Sequence, residues 1–162
     1  MSCLINKGRL EPCKDSVGGL TAVYLIDHGT LGAITYASAT SDEITAFAGN
    51  GGAVTAYKYI LKGNSSLEQT VTSSRENGTT FYDQIVNLTL KKLSVQSNDE
   101  LALIAVARPH VIVEDNNGNA MLVGLEWGAD VNGGTVVTGA AMGDLSVAGV
   151  GISVSTEYIS DI

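Results

Sequence analysis

Positive charge, histidine, cysteine, proline and long apolar runs are all in short supply in this chain, and each shortage removes a class of function. Nine Lys and Arg stand against 17 Asp and Glu, a formal charge of -8. A phosphate backbone would be repelled unless those few cations were gathered on one face, so tight nucleic-acid binding is not expected, although DNA could slide past such a surface without being held. His28 and His110 are the only two imidazoles, one in a turn and one directly after Pro109 at a strand start. Nucleophilic catalysis needs Cys or Ser beside a base that a third group orients, and nothing in the spacing supplies that arrangement, so each histidine reads as structural or solvated. Cys3 and Cys13 lie in the first segment with no signal-peptide pattern ahead of them, which predicts a cytosolic product with reduced thiols. Two thiols define no disulfide framework, and no histidine spacing completes a zinc set. No run approaches the ~18 apolar residues needed to span a bilayer. The sequons at Asn64, Asn77 and Asn87 then mean only polar turn or strand residues.

What is present points to one β-rich domain. A hydrophobic fraction of 44% with 16% charged residues lies far from the disordered range, and 162 residues suffice for a single core. Glycine is abundant at 19 residues while proline stops at two, which suits many turns and close backbone contacts. Recurrent Thr, Val and Ser favour pleated structure.

Along the chain, residues 1–19 read as an extended arm, of the kind that frays unless tied down, in assemblies often by the next subunit. "TAVYLID" (Thr21 to Asp27) is a first strand and "GAITYA" (Gly32 to Ala37) its expected partner across a turn at His28 to Thr30. The glycine cluster Gly49 to Gly52 resets the backbone before a strand from Val54, with Tyr57, Tyr59 and Leu61 on one face and Val54, Ala56, Lys58 and Ile60 on the other. Apolar groups on both faces predict a strand covered on each side. "SSLEQTVTSS" alternates Leu67, Gln69 and Val71 against Glu68, Thr70 and Thr72, and Asn77-Gly78 marks a hairpin of type I′. The strand that follows, Thr79 to Leu93, carries Tyr82, Val86, Leu88 and Leu90 on one face and Asp83, Asn87, Thr89 and Lys91 on the other. At ~3.3 Å per residue it would reach roughly 50 Å, against the usual ~17 to 20 Å. One small domain cannot cover such a ribbon, so part of it is expected to project and to be covered by other copies.

A helix is predicted over 97–108, opened by a capping box of Ser97 and Glu100 and closed by Arg108 before Pro109, with Leu101, Ile104 and Ala105 toward the sheet. A second hairpin joins His110 to Glu114 with Ala120 to Trp127. A glycine-rich passage follows, and the closing "SVAGVGISVSTEYI" breaks strict alternation near Gly149 and Gly151, which suggests a bulge or close approach.

Among chemical constellations, Asp115, Asn117, Asn119 and Glu126 copy the ligand spacing of an EF-hand loop, but Ala120 stands where the sharp turn wants glycine and the flanks read as strands. A polar hairpin turn explains the same residues. Gly49, Gly51 and Gly52 lack the Lys-Ser/Thr pair and the following helix of a phosphate cradle. Adjacent carboxylates at Asp42-Glu43, Asp99-Glu100 and Glu114-Asp115 select no acid and base pair, and Trp127 reads as a core or interface anchor. The expectation is a protein with no enzymatic site, no metal and no cofactor.

The order strand, long Asn-Gly hairpin, capped helix, second hairpin from Val54 to Trp127 resembles bacteriophage tail tube proteins, and "KGRLEPCKDSVGG" and "GAAMGDLS" resemble phage virion segments. The resemblance implies a β-sandwich or small barrel with one flanking α-helix and a long projecting hairpin in the region 54–93. It implies stacked hexameric rings, contacts with other virion proteins, assembly in the host cytoplasm and a channel that DNA passes without tight binding. Tyr57, Tyr59, Leu67, Val71, Tyr82, Val86, Leu88 and Leu90 would then meet neighbouring copies, Glu68, Glu76 and Asp83 would face the lumen, and the arm and the loop Lys62 to Ser66 would touch the next ring. A head decoration protein and a carbohydrate-binding sandwich, reading glycans through Tyr57, Tyr59, Tyr82 and Trp127, are the competing expectations.

Overall fold

A computed structural model describes residues 5, 8–39, 41–61, 64–91, 93–125, 127–138 and, as backbone, 149–155. Cys3, Lys62, Glu126 and the passage Gly139 to Ser146, which enter the expectations above, lie outside these residues. The chain is mainly β, with a single helix among the described residues and several antiparallel sheets. In chain order the elements are β1 (Leu20–Ile26), β2 (Leu31–Tyr36), β3 (Ile44–Gly49), β4 (Ala56–Ile60), β5 (Ser66–Ser74), β6 (Thr79–Lys91), α1 (Val95–Val106), β7 (His110–Asp115), β8 (Ala120–Val123), β9 (Asp130–Val137) and β10 (Gly149–Ser155).

Two four-stranded sheets, ordered β4-β1-β7-β8 and β5-β6-β10-β9, share one core, and β2-β3 forms a separate ribbon. Val23, Leu25, Val111, Val113 and Val123 from the first sheet cluster with Val86 and Leu88 from the second. The five valines Val23, Val86, Val111, Val113 and Val123 are fully buried, and each such side chain contributes about 1.5–3 kcal/mol relative to exposure. Branched side chains at alternate positions explain why these segments are strands: they pack on a pleated face and leave the opposite face to their neighbours.

β1, and not the segment from Val54, is a strand covered on both faces. Ala22 and Ile26 are buried on the face opposite Val23 and Leu25. β4 is instead an end strand, and its Tyr57 and Ile60 stay exposed. Because β4 and β7 occupy the two edges of β1, the expected partner Gly32 to Ala37 has no edge left to join, and it pairs with β3. β4 also lies in a different sheet from β5 and β6, so the hairpin region contracts from 54–93 to β5 and β6 alone. Within the described part of the glycine-rich passage after Trp127, Asp130–Val137 form β9, which pairs with β10. The irregularity expected near Gly149 and Gly151 falls on β9, where the register slips between the partners of Ser153 and Val154.

The N-cap of α1 lies three positions before the predicted one. Ser94 is the N-cap, its hydroxyl accepting from the Ser97 backbone N–H at 3.1 Å, while Glu100 accepts from the Gln96 amide at 3.0 Å within the helix. Leu101 and Ile104 pack against the core as expected, but Ala105 is exposed. β8 ends at Val123, and Gly124 and Gly128 turn the chain at φ +74° each. Trp127 therefore sits in a loop at 56% exposure and is no core anchor.

Candidate functional site

The β5–β6 ribbon is built from strand residues paired from Ser66↔Asn87 to Ser74↔Thr79, leaving Arg75, Glu76, Asn77 and Gly78 as the turn. A two-residue Asn-Gly turn would have paired Glu76 with Thr79. The observed register is displaced by two positions, which keeps every side chain on its expected face because the strand period is two. Gly78 adopts φ +62°, and the Ser74 hydroxyl accepts from the Asn77 N–H at 3.3 Å.

β6 runs for 13 residues, about 43 Å at about 3.3 Å per residue. β10 covers its second edge only from Ile85 to Lys91. Thr79 to Gln84 are thus paired by β5 alone among the described strands, and β5 is itself the end strand of its sheet. The outer half of the hairpin is a two-stranded ribbon with an open edge on each side, an arrangement marginal in water unless something covers it.

Two faces run along this ribbon. On the core side the rungs are Leu67↔Val86, Gln69↔Gln84, Val71↔Tyr82 and Ser73↔Thr80. Val86 and Leu88 belong to the chain's own core and are not contact residues between copies, while Leu67 and Leu90 pack against that core. The base of β6 lies over the first sheet, which is why half of the predicted contact set is consumed within one chain. Gln84 marks the boundary: it is fully buried, and its Nε2 donates to Gln69 Oε1 at 2.9 Å. Beyond it Tyr82 is half-buried and Val71 is 54% exposed. The Ser73 and Thr80 hydroxyls close the ladder at 3.0 Å. The other face carries Glu68 opposite Ile85, Asp83 opposite Thr70, and Phe81 opposite Thr72. Glu68 and Asp83 therefore share the face turned away from the core, and Glu76 sits at the tip.

Tyr57 and Tyr59 do not join this hairpin. They line a groove of about 570 Å³ between α1 and the edge of the first sheet, with Leu25, Leu103, Ile104 and Val106. Burial raises the Tyr59 phenol above its ordinary value, with the Glu100 carboxylate adding to the effect. Nothing in the sequence signals the groove, since it depends on where α1 lands. The four aromatics of a glycan-reading surface are dispersed: only Tyr57 and Tyr59 share an element, while Tyr82 is on the hairpin and Trp127 in the loop after β8.

The polar groups of the β7–β8 turn are engaged in structure. Asp115 Oδ1 accepts from the backbone N–H groups of Asn117 and Asn119, each at 2.8 Å, and Oδ2 accepts from Asn119 Nδ2 at 2.9 Å. These bonds, led by the Asn119 amide, hold the Asp115 carboxyl below the usual range. The EF-hand-like spacing is thus a self-satisfied hairpin turn. His28 and His110, distant in sequence, stand with ring centroids 5.3 Å apart. His110 Nδ1 donates to the Gly124 carbonyl at 2.6 Å, and burial lowers its pKa, with His28 acting in the same direction and the Gly124 bond opposing it. No orienting acid or nucleophile is bonded to either ring among the described residues.

Comparison with protein-family models, with curated proteins and with solved structures returns no match.

Proposed function

We propose that this protein is a structural component of a phage virion, a tail tube subunit whose copies assemble into stacked hexameric rings around a channel. The observation that carries this reading is the outer half of the β5–β6 hairpin, open along β5 on one side and along Thr79 to Gln84 on the other. A ribbon with two unlike free edges joins the next copy head to tail, and a head-to-tail contact repeated with a closing rotation makes a ring. Closure would pair the open edges of every copy, as in any barrel. Val71 and Tyr82 then lie against a neighbour, and Glu68 and Asp83 face the channel, where a lining from a chain of charge -8 repels phosphate and lets DNA pass without tight binding. Partners are further copies and other virion proteins, with no membrane involved.

Negative-stain microscopy of the purified full chain tests this directly. Rings or tubes with a stain-filled centre support it. Particles that stay monomeric or trimeric until capsids are added would replace it with a head decoration role, and retention on a glycan array would favour a carbohydrate-binding sandwich.

A further inference from the structure

The groove between α1 and β4 is open and apolar: Tyr57 is 55%, Leu103 68% and Val106 84% exposed. The two charged residues that line it, Asp27 and Glu100, are both acidic. It opens at the end of β1 marked by Leu25 and Asp27, beside the β4 edge.

The arm leaves the body at the opposite end of the same strand. Leu20 pairs with Asp115 there, and the β7–β8 turn clamps the arm's last residues. Val17 N–H donates to Asn117 Oδ1 and Asn117 Nδ2 to the Val17 carbonyl, each at 2.9 Å. Asn116 Nδ2 donates to the Gly18 carbonyl at 2.8 Å. Before this clamp the chain carries large apolar side chains with nothing over them: Ile5 is 96% and Leu10 92% exposed. The stretch from Ile5 to Leu10 also holds Lys7 and Arg9 and no acid, in a chain of net charge -8. Uncovered apolar side chains at Ile5 and Leu10, with Arg9 beside them, and an uncovered apolar, acid-rimmed groove thus occur once each per copy, and the clamp that holds the arm stands about 20 Å from the groove mouth along β1 at about 3.3 Å per residue.

We propose that the arm of one copy docks in the α1–β4 groove of a second copy, with Leu10 seated against Tyr57 and Leu103 and Arg9 set against Glu100 and Asp27 at the rim. Donor and acceptor lie at opposite ends of β1, so every copy can give an arm at one end and receive one at the other, the geometry of end-to-end growth. As the contact that seats one ring on the next, this rests on the tube reading; as a contact between copies, it rests on the groove and the arm alone.

The test uses the full chain with Cys3→Ser and Cys13→Ser as background. Copies bearing Leu10→Cys are mixed with copies bearing Leu103→Cys and oxidised mildly. Disulfide-linked dimers between the two kinds are expected, formed about tenfold or more faster than in either preparation alone. Leu103 is largely exposed, so its replacement leaves the fold intact. Glu100→Arg should slow the linkage and Arg9→Glu on the other copy should restore it, a result that misfolding does not produce. A chain carrying both cysteines that closes only on itself at high dilution and in assemblies alike would overturn the proposal, as would assemblies without linkage. Rings that form without linkage overturn the arm contact and leave the tube reading standing. Linked chains that never form rings keep the contact and remove the tube.

Discussion

Val71→Asp separates the stability of one copy from the association of many. In a single copy the Val71 side chain is 54% exposed, its cover coming from Tyr82 across the ribbon. Burying a whole valine is worth about 1.5–3 kcal/mol, so about 1 kcal/mol remains to be gained when a neighbour covers the exposed half. Aspartate forfeits that gain and places a carboxylate without a partner in the contact, which costs a further ~1–3 kcal/mol. The sum, about 2–4 kcal/mol, weakens each contact between copies by about 30-fold to about 1,000-fold. Within the single chain the same change is a surface substitution with some loss of strand propensity, about 1 kcal/mol at most, or a fall in Tm of about 2–4 °C. Sedimentation velocity against protein concentration reads the first quantity and thermal melting the second. Val71→Thr, which keeps the shape, should fall between wild type and Val71→Asp. Unaltered association in Val71→Asp at a near-native Tm would refute the argument that this face of the ribbon is covered by other copies.

Three further outcomes follow from the described contacts. Gln84→Ala removes a fully buried side chain and the donor to Gln69, and should cost about 2–4 kcal/mol in urea unfolding; a change below about 0.5 kcal/mol would show that the pair is not what ends the core. Gly128→Ala sets a Cβ against the Arg108 carbonyl at φ +74°, and the left-handed conformation alone costs about 1–2 kcal/mol, so the variant should melt lower, whereas Gly118→Ala, with open space around it, should lose only the conformational part. His110 titrates below its ordinary value near 6.5 because it is buried; the unfolded chain then binds the proton first, so its contribution is intact above about pH 6.5 and is lost as pH falls through the folded value. His110→Gln should flatten stability against pH between about pH 7 and about pH 5, and an unchanged slope would assign that dependence to other groups.

Much of the β architecture was legible because its cause is local. The short apolar run "TAVYLID" has strand length, the alternation in Tyr82, Val86, Leu88 and Leu90 reports a pleated strand with one face inward, and Asn-Gly permits a reversal wherever it stands. The same locality explains the misreadings. Ser94 and Ser97 are both fit to cap a helix, and the choice between them depends on where Leu101 and Ile104 meet the core. The glycines of β9 weaken its strand signal, and it is held as a strand by pairing with β10, a segment distant enough in sequence to leave no local trace.

Periodicity by itself therefore determined that the chain is mainly β, that a long ribbon turns near Asn77, and which side chains share each face of it. Tertiary structure alone decided that β4 is an edge strand in a different sheet from the ribbon, that Val86 and Leu88 are consumed by the chain's own core while Val71 is not, that His28 meets His110, and that α1 leaves an acid-rimmed groove. The physical reason is that facing depends on a residue's own neighbours along the chain, whereas what covers a face depends on segments tens of residues away, and hydrogen-bonding edges carry no side-chain signature at all.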